Sequence, residues 1–212
     1  MSNNISVSVV TPSLNEEKAI GVMIEEIKKY SKDFETEIIV VDSSTDRTPL
    51  IAREMGARVI RQPRSAHGAA LRSGLRAATH DIIITTDCDM TYPMEYIPLL
   101  VNLMHTHGYD LISCNRMTGT LAKEMPYANR LANRAFAFLV RQLYGMRVRD
   151  VTTGMFCMSQ KVNRSITWEN YYTVPVEIII NKHLAGFRHT EIDIPYRPRI
   201  GDIKLPRWRA GV

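Results

Sequence analysis

Cysteine is scarce, and the three that occur, Cys88, Cys114 and Cys157, are odd in number and widely spaced. That excludes a disulfide framework, and the lack of a CxxC pair removes the usual thiolate metal site. Reduced thiols in the cytoplasm are expected. No basic region followed by an apolar core opens the sequence, so no secretory signal is expected. No apolar run approaches the roughly 20 residues that a membrane-spanning helix needs. Internal repeats and low-complexity segments are missing too. No GxGxxG follows the first predicted strand, which argues against a dinucleotide fold of the usual kind. No GxxxxGK(S/T) occurs, which excludes a P-loop.

What is there suits one large α/β domain. The 212 residues are too few for two comfortable domains. The formal net charge of +5 is mild. It fits an anionic substrate or an acidic membrane surface, and it falls far short of a nucleic-acid arm.

Strand-like runs alternate with helical periodicity. Ile5 to Val10 reads as a β-branched strand ended by Thr11-Pro12-Ser13. Asn15 then reads as the N-cap of a helix whose buried face is Ile20, Met23, Ile24, Ile27 and Tyr30. Glu37 to Val41 is a second strand, followed by the small polar cluster 42–48, with Thr48-Pro49 opening the next helix. Arg58 to Arg61 is a third strand, and Ala66 to Ala78 a helix in which Gly68 and Gly74 allow close approach to the sheet. Ile82-Ile83-Ile84 is a buried strand that runs straight into Asp87-Cys88-Asp89. Such alternation predicts a mostly parallel, doubly wound sheet with helices on both faces. Ligands then gather at the carboxyl ends of the strands. Further on, a helix over 93–107 presents Tyr96, Leu99, Leu100 and Leu103. A strand over 110–113, a long helix over 126–144, a strand over 155–158, a helix over 174–185 with Gly186 at its C-cap, and a strand over 188–194 complete the reading.

Polar clusters follow three of these strands, at 11–17, 42–46 and 87–89. Asp87 and Asp89, two apart on extended chain, would point the same way. Such an oxygen-only pair suits Mg²⁺ or Mn²⁺ that already carries phosphates. A polar turn capping the next helix is the plainer reading. Asp42 directly follows an apolar strand, several residues before the next helix, so capping does not account for it. Arg116, just past a strand, is either a bidentate phosphate ligand or a surface arginine. Arg130 and Arg134, at i and i+4, form either a shelf for an acceptor phosphate or a solvated basic face, with Leu131, Ala135, Phe138 and Leu139 on another face. Asp150 is a candidate base or acceptor-positioning group. The Pro- and Arg-rich tail with Trp208 suits an anionic membrane interface better than nucleic acid.

Together these residues resemble the family 2 glycosyltransferases of GT-A fold, and among them the dolichol- or polyprenyl-phosphate mannose and glucose synthases. The likeness runs through 10–17, 41–46, 68–74, 87–93, Asn115-Arg116, 150–154 and 196–205. The resemblance implies a single GT-A domain, with a nucleotide-sugar half over 1–115 and an acceptor half over 116–212 that ends in a mobile basic segment. It implies that Pro12, Asn15, Glu17 and Asp42 hold the base and ribose of a GDP- or UDP-linked sugar, and that Asp87 contacts the nucleoside side. Asp89 would ligate Mg²⁺ or Mn²⁺, Arg116 with Arg130 or Arg134 would hold a polyprenyl or dolichyl phosphate, and Asp150 would sit near the reacting centre. Arg199 and Lys204 would close over the diphosphate. The protein would be cytoplasmic, with peripheral membrane contact.

The chain departs from that pattern in places. Ala66-His67-Gly68 stands where the family often has Gly-Lys-Gly, so a cationic contact is lost or passes to His67. Thr91 replaces a frequent Gln beside the metal, Phe156 a frequent Arg, and Ile203 a frequent Ser. Two rivals remain at this level. A sugar-1-phosphate nucleotidyltransferase would want a Gly-rich, Arg-containing loop where this chain has Pro12-Ser13-Leu14-Asn15. A non-catalytic sugar-nucleotide binder would have little need of the carboxylate pair. A hydroxyl acceptor in place of a lipid phosphate would require Asp150 to take a proton.

Overall fold

A computed structural model describes residues 5–118, 125, 127–167 and 174–201. Seven strands form one sheet: β1 (Ser6–Ser13), β2 (Glu35–Asp42), β3 (Arg58–Arg61), β4 (Ile82–Thr85), β5 (Leu111–Asn115), β6 (Phe156–Ser159) and β7 (His189–Asp193). Their order is β3-β2-β1-β4-β6-β5-β7. All pairings are parallel except those of β6, which runs antiparallel to both β4 and β5. The helices are α1 (Ile20–Tyr30), α2 (Thr48–Glu54), α3 (His67–Ala77), α4 (Ile97–His107), α5 (Tyr127–Tyr144), α6 (Gln160–Arg164) and α7 (Val174–Leu184).

Strand side chains alternate in direction, so each central strand feeds two cores. Val7, Val9, Ile38 and Val40 face α1, α2 and α4. Val10, Ile39, Val41 and Ile83 face α3, α5 and α7. Gly74 lets α3 sit close on the sheet: a Cβ there would lie 2.3 Å from Val10 Cγ1 and 3.0 Å from Val41 Cγ2.

Several boundaries differ from the sequence reading. β1 continues through Thr11-Pro12 to Ser13, in register with β2 up to Ser13–Asp42. Pro12 is tolerated because β1 pairs with β4 only as far as Val10–Thr85. Asn15 does not cap α1. It takes a left-handed φ of 53°, and the helix begins only at Ile20. A 3₁₀ turn, Met94–Tyr96, precedes α4, whose buried stripe is Ile97, Leu100, Val101 and Met104, while Leu99 is exposed. On α5 the buried stripe is Asn133, Ala137 and Val140, and the apolar set Leu131, Phe138 and Leu139 faces outward. Gly186 ends α7 with the positive φ its position demands, 76°.

Candidate active site

The carboxyl ends of β1, β2, β4 and β5 share one edge of the sheet. Because β6 is antiparallel, its entry end, with the loop 150–154 before it, arrives at that same edge. The site is therefore assembled from five chain segments.

On the β1–β2 side, Asp42 is fully buried. It accepts hydrogen bonds from Ser13 Oγ (2.7 Å), Ser44 Oγ (2.5 Å) and Ser44 N (3.1 Å), and it pairs with Arg61. Arg61 also donates to the Ser44 carbonyl at 2.8 Å. The loop after β1 is stitched to the loop after β2. Asn15 N donates to Ser44 Oγ (2.7 Å), and Asn15 Oδ1 accepts from Thr45 N (2.8 Å). Glu16 N donates to Thr48 Oγ1 (2.8 Å), and the Glu17 carboxylate accepts from Arg47 N (3.3 Å). Pro12 is buried within β1. Asp42 and Asn15 thus organise two loops around one another, a task the sequence pattern did not reveal, because the contacts that join the loops, Ser13 to Asp42 and Asn15 to Ser44 and Thr45, span 29–30 residues.

Past Thr85 the chain leaves the strand and turns at Cys88-Asp89. The strict alternation expected of Asp87 and Asp89 gives way to a tight turn in which Met90 holds a φ of 65°. The only non-glycine residues described with positive φ, Asn15 and Met90, both lie in this edge's loops. Backbone strain of this kind is concentrated where structure serves a site. Asp87, with about a third of its side chain exposed, meets His67 Nε2 at 3.2 Å. Burial raises its pKa, but the His67 hydrogen bond and the charges of His67, Arg116 and Arg199 outweigh it, so Asp87 lies below the ordinary carboxylate value. His67 is held above the ordinary imidazole value: burial opposes its charge, and the bond to Asp87 more than compensates.

Asp89 is buried. Its Oδ1 accepts from Thr91 Oγ1 (2.6 Å) and Thr91 N (3.1 Å), and its Oδ2 pairs with Arg199 Nη1 at 2.7 Å. Burial and the charge of Asp87 push Asp89 above its ordinary value despite those partners. Among the described residues no group of three or more carboxylate, imidazole or thiolate side chains is assembled for a metal. A pair of carboxylates still fits Mg²⁺ or Mn²⁺, which usually takes one or two carboxylates and completes its shell with phosphate and water. Thr91, standing where a longer amide was expected, is engaged with Asp89 itself.

The C-terminal stretch straps this turn. Arg197 N donates to the Thr91 carbonyl (3.0 Å) and Ile200 N to the Asp89 carbonyl (2.9 Å). Arg197 reaches Glu26 (2.9 Å) and Glu95 (2.5 Å), and Arg199 bridges Asp89 and Glu16. Glu16, the neighbour of the expected Glu17, is therefore joined to Asp89 through Arg199. Lys204 lies outside the described residues.

Across the edge, Arg116 and Asp150 form a buried, bidentate pair: Nε to Oδ2 at 2.7 Å and Nη2 to Oδ1 at 3.0 Å. Asp150 is wholly buried. It also accepts from Arg116 N (3.1 Å), Asn133 Nδ2 (2.7 Å) and Thr152 N (3.2 Å). Burial raises its pKa, but the Arg116 charge and these bonds hold it below the ordinary value. A carboxylate so saturated is a weak base, and of the two expected roles, base or positioning group, these contacts match the second: they fix Arg116 and the loop 150–154. Arg116 in turn is only 8% exposed, lying over the Tyr92 ring at 5.6 Å and the Tyr196 ring at 5.8 Å. It is not a surface arginine. Arg130 is half-buried over Tyr127 and Arg134 is exposed, while Asn133 between them turns inward to Asp150.

Tyr92 was not singled out by the sequence pattern, yet it is fully buried at the centre. Its hydroxyl accepts from Gly154 N at 2.5 Å. Gly154 is there because a Cβ would lie 2.9 Å from both Asp87 carboxylate oxygens. A depression of about 400 Å³ lined by Lys28, Phe34 and Arg58 lies at the opposite end of β2 and shares no residue with this edge.

Comparison with known proteins follows this geometry. The family model described as Glycosyl transferase family 2 matches residues 8–167. A dolichyl-phosphate hexose transferase of Haloferax volcanii is 41% identical over 96% of this chain and 88% of its own length. The low-salt glycan biosynthesis hexosyltransferase Agl6 of the same organism is 31% identical over 97% of this chain, which spans only 51% of that protein. Among solved structures, glucosyl-3-phosphoglycerate synthase of Mycobacterium tuberculosis, in complex with Mn²⁺, UDP and phosphoglyceric acid, superposes with a TM-score of 0.75. It is 27% identical and is matched over 94% of this chain and 72% of its own.

Proposed function

This chain belongs to glycosyltransferase family 2 and has the GT-A fold, and from that premise we propose that it moves a hexose from a GDP- or UDP-linked sugar to a polyprenyl or dolichyl phosphate, inverting the anomeric carbon. It works as a peripheral protein at a membrane surface; among the described residues no helix is long and apolar enough to cross one. The observation that carries the reading is the Asp87–Asp89 pair on one turn at the strand end, with Asp87 against His67 and Asp89 buried against Thr91 and Arg199. The solved relative with Mn²⁺ and UDP supports a divalent ion there.

Asp89, helped by Asp87, would hold Mg²⁺ or Mn²⁺, which when bound offsets the charge of the donor diphosphate as it leaves. Pro12, Asn15, Glu17 and Asp42 border the base and ribose, with Asp42 setting the loop that does so. Arg199 exchanges its carboxylate partners for the diphosphate, and Lys204 adds a second positive charge to that phosphate. Arg130 and Arg134 hold the acceptor phosphate, and Arg116, fixed by Asp150, adds positive charge beside the reacting centre. A phosphate monoester is already anionic near neutral pH, so orientation replaces proton removal. The saturated state of Asp150 favours this acceptor over a hydroxyl, which would need a free base. A hydroxyl acceptor bearing a phosphate is the second reading, favoured by the likeness to a synthase solved with phosphoglyceric acid.

A thermal-shift series of UDP- and GDP-sugars with Mn²⁺, followed by transfer to a short polyprenyl phosphate, tests the proposal. A true donor well above its dissociation constant stabilises by about 2–4 kcal/mol. No shift with any sugar nucleotide, or transfer only to phosphoglycerate-like hydroxyls, rejects the lipid-phosphate assignment.

A further inference from the structure

We propose that the outward face of α5 docks on an anionic lipid bilayer; this deepens the lipid-phosphate reading and rests on it. Surface helices ordinarily turn polar residues to solvent and apolar ones to the core. In α5 the solvent side is apolar as well, and more so than the side facing the core. The stripe facing the protein is Asn133, Ala137 and Val140. Opposite it, Leu131, Phe138, Leu139 and Leu143 are 55%, 51%, 50% and 73% exposed.

The charges on the helix select the occupant. Tyr127–Tyr144 contains Arg130, Arg134 and Arg141 and no Asp or Glu. Spacings of four and seven residues set the three arginines on one edge, beside the apolar arc. A second copy placed face to face would bring another set of arginines and no acid from its α5 to meet them. A bilayer surface supplies both complements, acyl chains for the Leu and Phe side chains and anionic headgroups for the arginines. The face also backs onto the site: Asn133, on the reverse side, donates to Asp150 at 2.7 Å and accepts from Val151 N at 3.2 Å. At the far end His183 meets the Tyr144 carbonyl at 3.2 Å, which brings the exposed Leu184 of α7 to the same rim.

Flotation with vesicles of phosphatidylcholine alone and of phosphatidylcholine enriched in phosphatidylglycerol tests the surface. The full chain is expected to float with the anionic vesicles, to release in high salt, and to lose about tenfold or more in binding on double substitution Phe138→Glu/Leu143→Glu. Both positions are half or more exposed, so the melting temperature of that variant should match the wild type. A second arm places a nitroxide at Leu143→Cys. Cys88, Cys114 and Cys157 are all buried, so the new thiol alone takes the label, and its relaxation should report acyl-chain depth.

Wild-type protein that stays unbound, a double-glutamate variant that floats equally well, or a label that remains in water overturns the docking face. So does a dimer that the same variant dissolves, since a second copy would then be the occupant. Transfer to a short, water-soluble polyprenyl phosphate separates the two claims. Flotation through α5 without transfer removes the acceptor and leaves the surface. Transfer with unaltered flotation of the variant removes the surface and leaves the acceptor.

Discussion

Asp150 is saturated with donors, the Arg116 guanidinium among them, and that shapes what its substitution should do. Arg116 would remain buried with its charge unmatched, a loss of about 3–5 kcal/mol for a broken buried pair. Asp150→Asn should therefore lower the urea midpoint strongly, along with activity. A variant of normal stability with only kcat reduced would restore the proton-accepting role. Asp89 is the opposite case, a carboxylate held above its usual pKa by burial and by Asp87. Asp89→Asn should abolish metal-dependent transfer and the Mn²⁺-dependent part of the thermal shift with a sugar nucleotide. Full turnover in that variant would remove the ion from Asp89.

At the scale of elements, the loops are set by partners from distant segments and the helices by steric fit. α3 lies against β1 and β2 through Gly74, where a methyl group would sit 2.3 Å from Val10 Cγ1. Gly74→Ala gains helix propensity, yet the overpacking it forces costs about 1–3 kcal/mol. A net fall in melting temperature is expected, and a rise would show that α3 can lift from the sheet. The α5 arginines have a kinetic signature. Arg130→Ala and Arg134→Ala should raise the acceptor KM more than the donor KM, and unchanged acceptor kinetics would take the phosphate shelf out of the mechanism.

Across the whole molecule, the sheet joins distant segments: β7 pairs with β5 in parallel, and its His189 Nε2 meets Ser113 Oγ, 76 residues earlier, at 2.9 Å. Burial, and next the charge of His183, push the His189 imidazole down to about 4. The unfolded chain, with an ordinary imidazole, takes up the proton first as pH falls. This residue's share of stability is thus intact above about pH 6.5 and declines steadily toward pH 4. Chemical denaturation across that window should show the decline, and His189→Gln should flatten it. An unchanged slope would mean that His189 titrates normally.

How much of this could be read from residues alone depends on the range of the interaction involved. Strand and helix periodicities are local, so the alternating elements, the polar clusters at strand ends and the capping glycine Gly186 were all legible. The Asp87–Asp89 pair was legible for the same reason, because both carboxylates lie on one short stretch. The antiparallel entry of β6, which delivers 150–154 to the site, was decided by pairing between segments some 40–75 residues apart. Arg116 facing Asp150, Arg61 facing Asp42 and Glu16 facing Arg199 were settled the same way, by charges that find partners only once the sheet has formed. The outward apolar face of α5 was hidden for a related reason: periodicity reveals that a helix has two faces, and only its neighbours determine which one is buried.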